Sequence, residues 1–166
     1  MKRTSYVLVF AGIAVAAPAA TQNLPGYDND FDQARAQYRA YAIGEFQEVL
    51  AGWLEAVEAH DAHRAAEYYA EDGFVYLGEE ASGRADVEHA LERWLVRVDG
   101  IQTGMRDFDA SGSMSYATLN LVVNAADPED DGPGTMMLVL TKERGGWKIR
   151  SQTVVMHPEA PSGSGL

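Results

Sequence analysis

Gly145-Gly146-Trp147-Lys148-Ile149-Arg150-Ser151-Gln152-Thr153-Val154-Val155-Met156 is the stretch on which the fold turns. Paired glycines take positive φ without steric cost, as a tight hairpin turn requires. A long β-type run opened by Trp147 follows them. The segment before them, Thr135 to Arg144, is rich in Met, Leu and Val and pairs with that run antiparallel. This last hairpin then forms the floor of a sheet, and earlier elements must cover it.

Working backward, Asp127-Pro128-Glu129-Asp130-Asp131-Gly132-Pro133-Gly134 is a polar connection full of turn residues. Before it, Met114 to Ala125 alternates as a strand, with Tyr116, Thr118, Asn120 and Val122 on one face and Leu119, Leu121 and Val123 on the other. Ile101 to Ala110 reads as a weaker strand. Upstream of Gly100 the period changes to a helical one. Val87, Ala90, Leu91, Trp94, Leu95 and Val98 make one apolar stripe on a helix that starts at Ser82 or Gly83. Gly78 to Gly83 reads as a loop and Phe74-Val75-Tyr76-Leu77 as a short buried strand. Asp61 is placed to cap a short helix over 62–70, with Gly73 ending it. Ile43, Phe46, Leu50, Trp53, Leu54 and Val57 form the stripe of a stronger helix, with Glu45, Glu48, Glu55 and Glu58 outside it. A helical pattern also runs from Asp30 through Phe31, Ala34, Tyr38 and Ala42, with Asp28 or Asp30 as its cap. Gly44 weakens a continuous helix by about 1 kcal/mol without forbidding it, so the two patterns are either joined or separate.

Helices first and a meander of long strands second argue for an α+β domain, with helices on one face of a curved antiparallel sheet. The chain has 166 residues, 46% of them hydrophobic, enough for one core. Its net charge of −12 argues against nucleic acid and against an anionic membrane surface as partners. Residues 1–19 read as a cleaved signal peptide: Lys2 and Arg3, an apolar stretch from Tyr6 to Ala17, then Ala17-Pro18-Ala19 at the exit. The expected location is therefore periplasmic or secreted, with no membrane contact after cleavage. With no cysteine, the chain has no disulfides, thiol chemistry or lipid-anchored cysteine. Residues 158–166 are a Gly/Ser/Pro tail expected to be flexible.

The order of elements, with Asp72-Gly73-Phe74-Val75 on the first strand, a Gly83-led helix and a close on Gly145-Gly146-Trp147-Lys148-Ile149, resembles the nuclear-transport-factor-2-like superfamily. Within it, the chain is most similar to SnoaL-like domains, a group that includes steroid isomerases. The resemblance spans roughly residues 43–157, which leaves 20–42 as a partly helical N-terminal extension. It implies a cone: a bent antiparallel sheet wraps the N-terminal helices around a pocket, and the sheet's outer face pairs two copies. Steroid isomerases need a carboxylate base and two protic oxyanion donors. Anchored on Asp61 and Asp72-Gly73, those positions fall on Trp53, Leu77 and Leu138, and the two leucines offer no proton at all. Where relatives carry histidine on the last strand, this chain has Ser151 and Thr153.

Two sources suggest what lines the pocket. If Trp147 and Ile149 face inward, alternation brings Ser151, Thr153 and Val155 with them. The resemblance adds Tyr116, Thr118, Asn120 and Val122, together with Trp53, Tyr69, Leu77 and Leu138. Such a wall suits a neutral, apolar or amphipathic small molecule, with no cofactor and no metal. The outer, dimer-forming face would carry Arg150, Gln152 and Val154 with Leu119, Leu121 and Val123. An enzymatic alternative, a lyase, isomerase or hydrolase, needs an acid or base in the pocket; Asp107, Glu79 and His157 are the candidates. A third possibility is a purely structural homodimeric module. His60-Asp61-x-His63 lacks a third metal ligand, and Asp127 to Asp131 lacks the ligand spacing of a calcium loop. No phosphate loop is present, since Gly145-Gly146 leads into a strand and not a helix.

Overall fold

The computed structural model describes residues 29–128 and 130–157. The expected leader, the approach segment before residue 29, the cap candidate Asp28 and the tail over 158–166 lie outside the described residues; the other cap candidate, Asp30, is already inside the first helix.

The first helix, α1, runs unbroken from Asn29 to Glu58, so the two helical patterns are joined across Gly44. Ala42, Phe46, Leu50, Trp53, Leu54 and Val57 are its buried stripe. Helix α2 (Ala62–Ala66) is capped as expected: the Arg64 N–H donates to Asp61 Oδ1 at 2.9 Å. Strand β1 (Tyr69–Tyr76) pairs with β2 (Glu80–Ser82), and α3 (Arg84–Leu95) follows from Gly83 at φ +89°. The long strands β3 (Val98–Ser111), β4 (Met114–Ala125), β5 (Gly132–Glu143) and β6 (Gly146–Met156) form an antiparallel meander. In the final hairpin, positive φ is supplied by Gly146.

The six strands are ordered β2-β1-β6-β5-β4-β3, an α+β arrangement in which one curved, unclosed sheet cradles the helices. All neighbours are antiparallel except β1 and β6, which run parallel. Helix α1 lies against β3 and β6, and α3 packs on α2, β1 and β2. The N-terminal turns of α1 project along the β3–β4 hairpin. There the Tyr38 hydroxyl donates to the Gly112 carbonyl, and Arg39 Nη2 donates to the Phe108 carbonyl at 2.6 Å.

Three expectations need correction. First, Gly73 does not end a helix; it sits inside β1, where the register with β6 jumps from Tyr69–Ile149 to Phe74–Ser151. A Cβ at Gly73 would stand 2.9 Å from the Ala70 carbonyl oxygen and 3.2 Å from that of Ile149, so glycine is there for close backbone approach. The supposed loop after it contains β2, which pairs Ala81 with Val75.

Second, the faces of β4 are exchanged. Ala117, Leu119, Leu121 and Val123 are buried against the helices. Tyr116, Asn120 and Val122 point to the outside, with Thr118 half-buried in the same row. The Leu/Leu/Val set is the more apolar, and burying a residue of that kind contributes about 1.5–3 kcal/mol, which decides the face.

Third, β6 does not alternate through its whole length. Ile149 pairs with Leu140 and Ser151 with Val139, leaving Arg150 as the extra residue of a bulge. Beyond it the alternation is inverted: Gln152 and Val154 are buried, and Ser151, Thr153 and Val155 lie on the outer side. Arg150 is exposed and pairs with Asp72. The outer face therefore presents Met114, Tyr116, Val122, Met137 and Val155, all substantially exposed, in place of the set expected there.

Candidate functional site

The bulge at Arg150 shapes the inside of the cone, because it turns Gln152 inward. Gln152 and Ser115 are the buried polar side chains, apart from indole and phenol groups, among the described residues. The Tyr69 hydroxyl donates to Gln152 Oε1, and Gln152 Nε2 approaches Met136 Sδ at 3.2 Å. Trp53 is wholly buried, and its indole N–H lies beside the Tyr69 phenol without a hydrogen bond of good geometry. Burial pushes the Tyr69 phenol well above its ordinary pKa, only partly offset by Trp53, so it stays protonated and serves as a donor. No carboxylate or imidazole is buried with it among the described residues.

Above this cluster the cone opens into a cleft of about 910 Å³. Leu77, Trp94 and Val154 are buried side chains on its floor, and Met156 and Val155 close the β6 side. The register places Val154 beside Met136, and Gln152 lies two residues further along β6 on the same face. The floor of the cleft is thus the outer layer of the interior just described.

The rim is charged. Arg93 Nε meets Glu79 Oε1 at 2.7 Å, tying α3 to the β1–β2 turn. Arg97 Nη1 meets Asp130 Oδ2 at 2.7 Å, tying the end of α3 to the β4–β5 loop. Glu79 follows Gly78, whose φ of +87° makes the turn possible. Val96, between the two arginines, is 86% exposed.

At the other end of the cone a different polar group forms. Glu45 Oε2 accepts from Trp147 Nε1 at 2.6 Å and from Lys142 Nζ at 3.0 Å, and Glu45 Oε1 accepts from the Tyr41 hydroxyl at 2.7 Å. The Lys142 ammonium stands 5.2 Å from the Tyr41 ring centre and 5.5 Å from that of Trp147. Desolvation raises the Glu45 carboxyl, but hydrogen bonds from Trp147, Tyr41 and Lys142 outweigh it and hold its pKa below the usual value.

The residues expected to line a pocket divide between two places. Trp53, Tyr69 and Leu138 are packed inside the cone, and Leu77 lies at the cleft floor. Tyr116, Thr118, Asn120, Ser151 and Thr153 share the outer face of the sheet and are not brought to them. Of the candidate acids and bases, Glu79 is at the cleft. Asp107 accepts from the Phe108 N–H at 2.9 Å on the edge strand β3. His157 Nε2 bonds Thr135 Oγ1 at 2.8 Å. His63 is exposed and pairs with Glu88 at 3.0 Å. No group of three or more His, Cys, Asp or Glu that could hold a metal ion occurs among the described residues. None of their helices is long and apolar enough to cross a membrane.

Sequence reasoning missed Gln152, Arg93, Arg97 and Asp130. The two arginines flank Trp94 in sequence, but Arg97 lies in the turn past the end of α3 at Leu95, so helical spacing does not pair them.

Residues 47–154 match the family model described as a SnoaL-like domain. No curated protein matches the sequence. Among solved structures, a Mycobacterium tuberculosis protein of unknown function has a TM-score of 0.61 at 18% identity, over 77% of this chain and 84% of that one. A nuclear-transport-factor-2-like protein with a cystatin-like fold from Novosphingobium aromaticivorans has a TM-score of 0.60 at 18% identity, over 82% and 95%. A Streptomyces avermitilis protein of the same superfamily, named provisionally as a dehydratase, has a TM-score of 0.58 at 16% identity, over 71% and 99%. At these identities the likeness is one of fold.

Proposed function

The chain belongs to the SnoaL-like domain family, and on that premise we propose that it binds a small apolar or amphipathic molecule in the cleft over Leu77, Trp94 and Val154. The observation that carries the proposal is the cleft itself: about 910 Å³, apolar below and charged at the rim. Small-molecule sites span about 300–1,000 Å³ and combine an apolar lining with a few placed polar groups. The interior beneath argues against isomerase-type acid–base chemistry. By the alignment that the resemblance implies, Trp53, Leu77 and Leu138 take the isomerases' protic positions, and the buried Tyr69 phenol holds its proton. The leader reading over 1–19 supports export, so the ligand would be met in the periplasm or outside the cell.

Trp94 lines the cleft, so its emission would report occupancy. A panel of neutral, anionic and cationic amphiphiles is expected to contain members that raise Tm and shift tryptophan emission, with the emission shift reduced in Trp94→Phe. A panel in which nothing raises Tm refutes the proposal.

One observation favours an enzymatic reading: Glu79 is a carboxylate on the cleft rim, in a fold shared with a protein provisionally named a dehydratase. Turnover undiminished in Glu79→Gln would remove it. The uncharged, exposed row of Met114, Tyr116, Met137 and Val155 supports a second copy as the partner of the outer face. Sedimentation equilibrium distinguishes that dimer from a monomer.

A further inference from the structure

We propose that Arg93 and Arg97 read the headgroup of the ligand and select amphipathic anions, of which a medium-chain carboxylate is the simplest. The proposal rests on the ligand-binding reading above and adds the chemical class. Arg93 lies in the last turn of α3 and Arg97 in the turn just past its end at Leu95, and both line the cleft, so both guanidinium groups stand at its rim. A guanidinium has five N–H donors in a fixed fork. Among the described residues, Arg93 makes its contact through Nε to Glu79, and Arg97 through Nη1 to Asp130. Both arginine side chains are about half exposed, which leaves guanidinium donors within reach of an acceptor-rich headgroup.

A cation meets a different situation at the same rim. Glu79 and Asp130 are already engaged at 2.7 Å by arginines tethered to the helix between them. A ligand ammonium would have to displace a covalently held guanidinium, whereas a carboxylate adds to one. The two pairs also differ in freedom. The Asp130 side chain is 18% exposed, which anchors Arg97, while Arg93 and Glu79 are both about half exposed. Arg93 is therefore the arm that turns toward the headgroup, with Glu79 released into water on its glycine-led turn. The alkyl chain then lies over Trp94, Leu77 and Val154, with Val96 covering its upper part.

The test is a titration of the full chain at pH 7 with three probes of one chain length, below their micelle concentrations: decanoate, decanol and decyltrimethylammonium. Decanoate is expected to bind about tenfold more tightly than decanol, as charge-assisted hydrogen bonds at a half-exposed rim allow. Arg93→Gln and Arg97→Gln should each remove most of that preference, weakening decanoate far more than decanol. Glu79→Gln frees Arg93 and should tighten decanoate several-fold. Equal affinity for decanoate and decanol, or a preference that survives in the Arg93→Gln/Arg97→Gln double variant, overturns the headgroup assignment while leaving the cleft as an amphiphile site. Tighter binding of the ammonium probe overturns it as well. If none of the three binds, the ligand-binding reading falls with it.

Discussion

Near its start, β6 lays Trp147 against Glu45, Lys142 and Tyr41; near its end, it lays Val154 and Met156 under Arg93, Arg97, Glu79 and Asp130. Both ends combine aromatic or apolar surface with acidic and basic groups, but the arrangement differs. At the Trp147 end one carboxylate takes donors from three side chains on α1, β5 and β6, and the indole that supplies one of them is 5% exposed. At the Val154 end Arg93 pairs with Glu79 and Arg97 with Asp130, the charges sit above the apolar floor, and a cleft remains between them. A saturated polar cluster fixes α1 to the sheet. Half-exposed ion pairs contribute only about 0–1 kcal/mol each to stability and can exchange partners. The first end is built to hold and the second has room to bind.

The comparison breaks most visibly at Trp147. Replacing it with alanine removes a buried aromatic and the donor nearest Glu45, at an expected cost of roughly 3–5 kcal/mol. Urea unfolding measures this directly. Trp147→Phe keeps most of the apolar area and loses the N–H, so its cost should fall to about 1–3 kcal/mol. Amphiphile affinity at the far cleft should be unchanged in Trp147→Phe. A Trp147→Ala protein as stable as the parent would mean that the two ends do not differ in the way described.

Much of this frame was legible in the residues. Gly145-Gly146-Trp147 marks the last hairpin, Asp61 marks a cap, and the stripe through Val87, Leu91 and Trp94 marks α3, because each signal is local. The site was less legible because it depends on relations between strands. The bulge that turns Gln152 inward arises where β5 advances one residue, Leu140 to Val139, while β6 advances two, Ile149 to Ser151, and nothing in β6 alone announces it. In β4 both faces contain apolar residues, and the choice follows from where the helices land. Glu45 reads from sequence as one more solvated acid on the helix; only the arrival of Trp147, 102 residues later, makes it a hub. Arg93 and Arg97 straddle the end of α3, and their partners come from the β1–β2 turn and the β4–β5 loop.

The smallest expected effect is also the one that sharpens the comparison by pH. The Glu45 carboxyl titrates below the ordinary glutamate value in the folded protein, because donors from Trp147, Tyr41 and Lys142 favour its charged form over the opposing desolvation. A depressed folded pKa means stability that is fully present above the unfolded value and lost as pH falls through the folded one. Tyr41 and Lys142 are shifted upward, chiefly by their hydrogen bonds to the same carboxylate, so their own titration removes stability on the alkaline side, as pH rises through their raised values. Between those limits the cluster is intact. Glu45→Gln should therefore be less stable than the parent at pH 7. The gap between the two urea midpoints should close as pH falls below the ordinary glutamate range and through the depressed folded value, where the parent's own Glu45 takes up its proton. Other carboxylates titrate alike in both proteins and cancel in the difference. A gap that stays constant from pH 7 to acid would show that Glu45 contributes through packing rather than charge, and the contrast between the two ends of β6 would have to be redrawn on apolar contact alone.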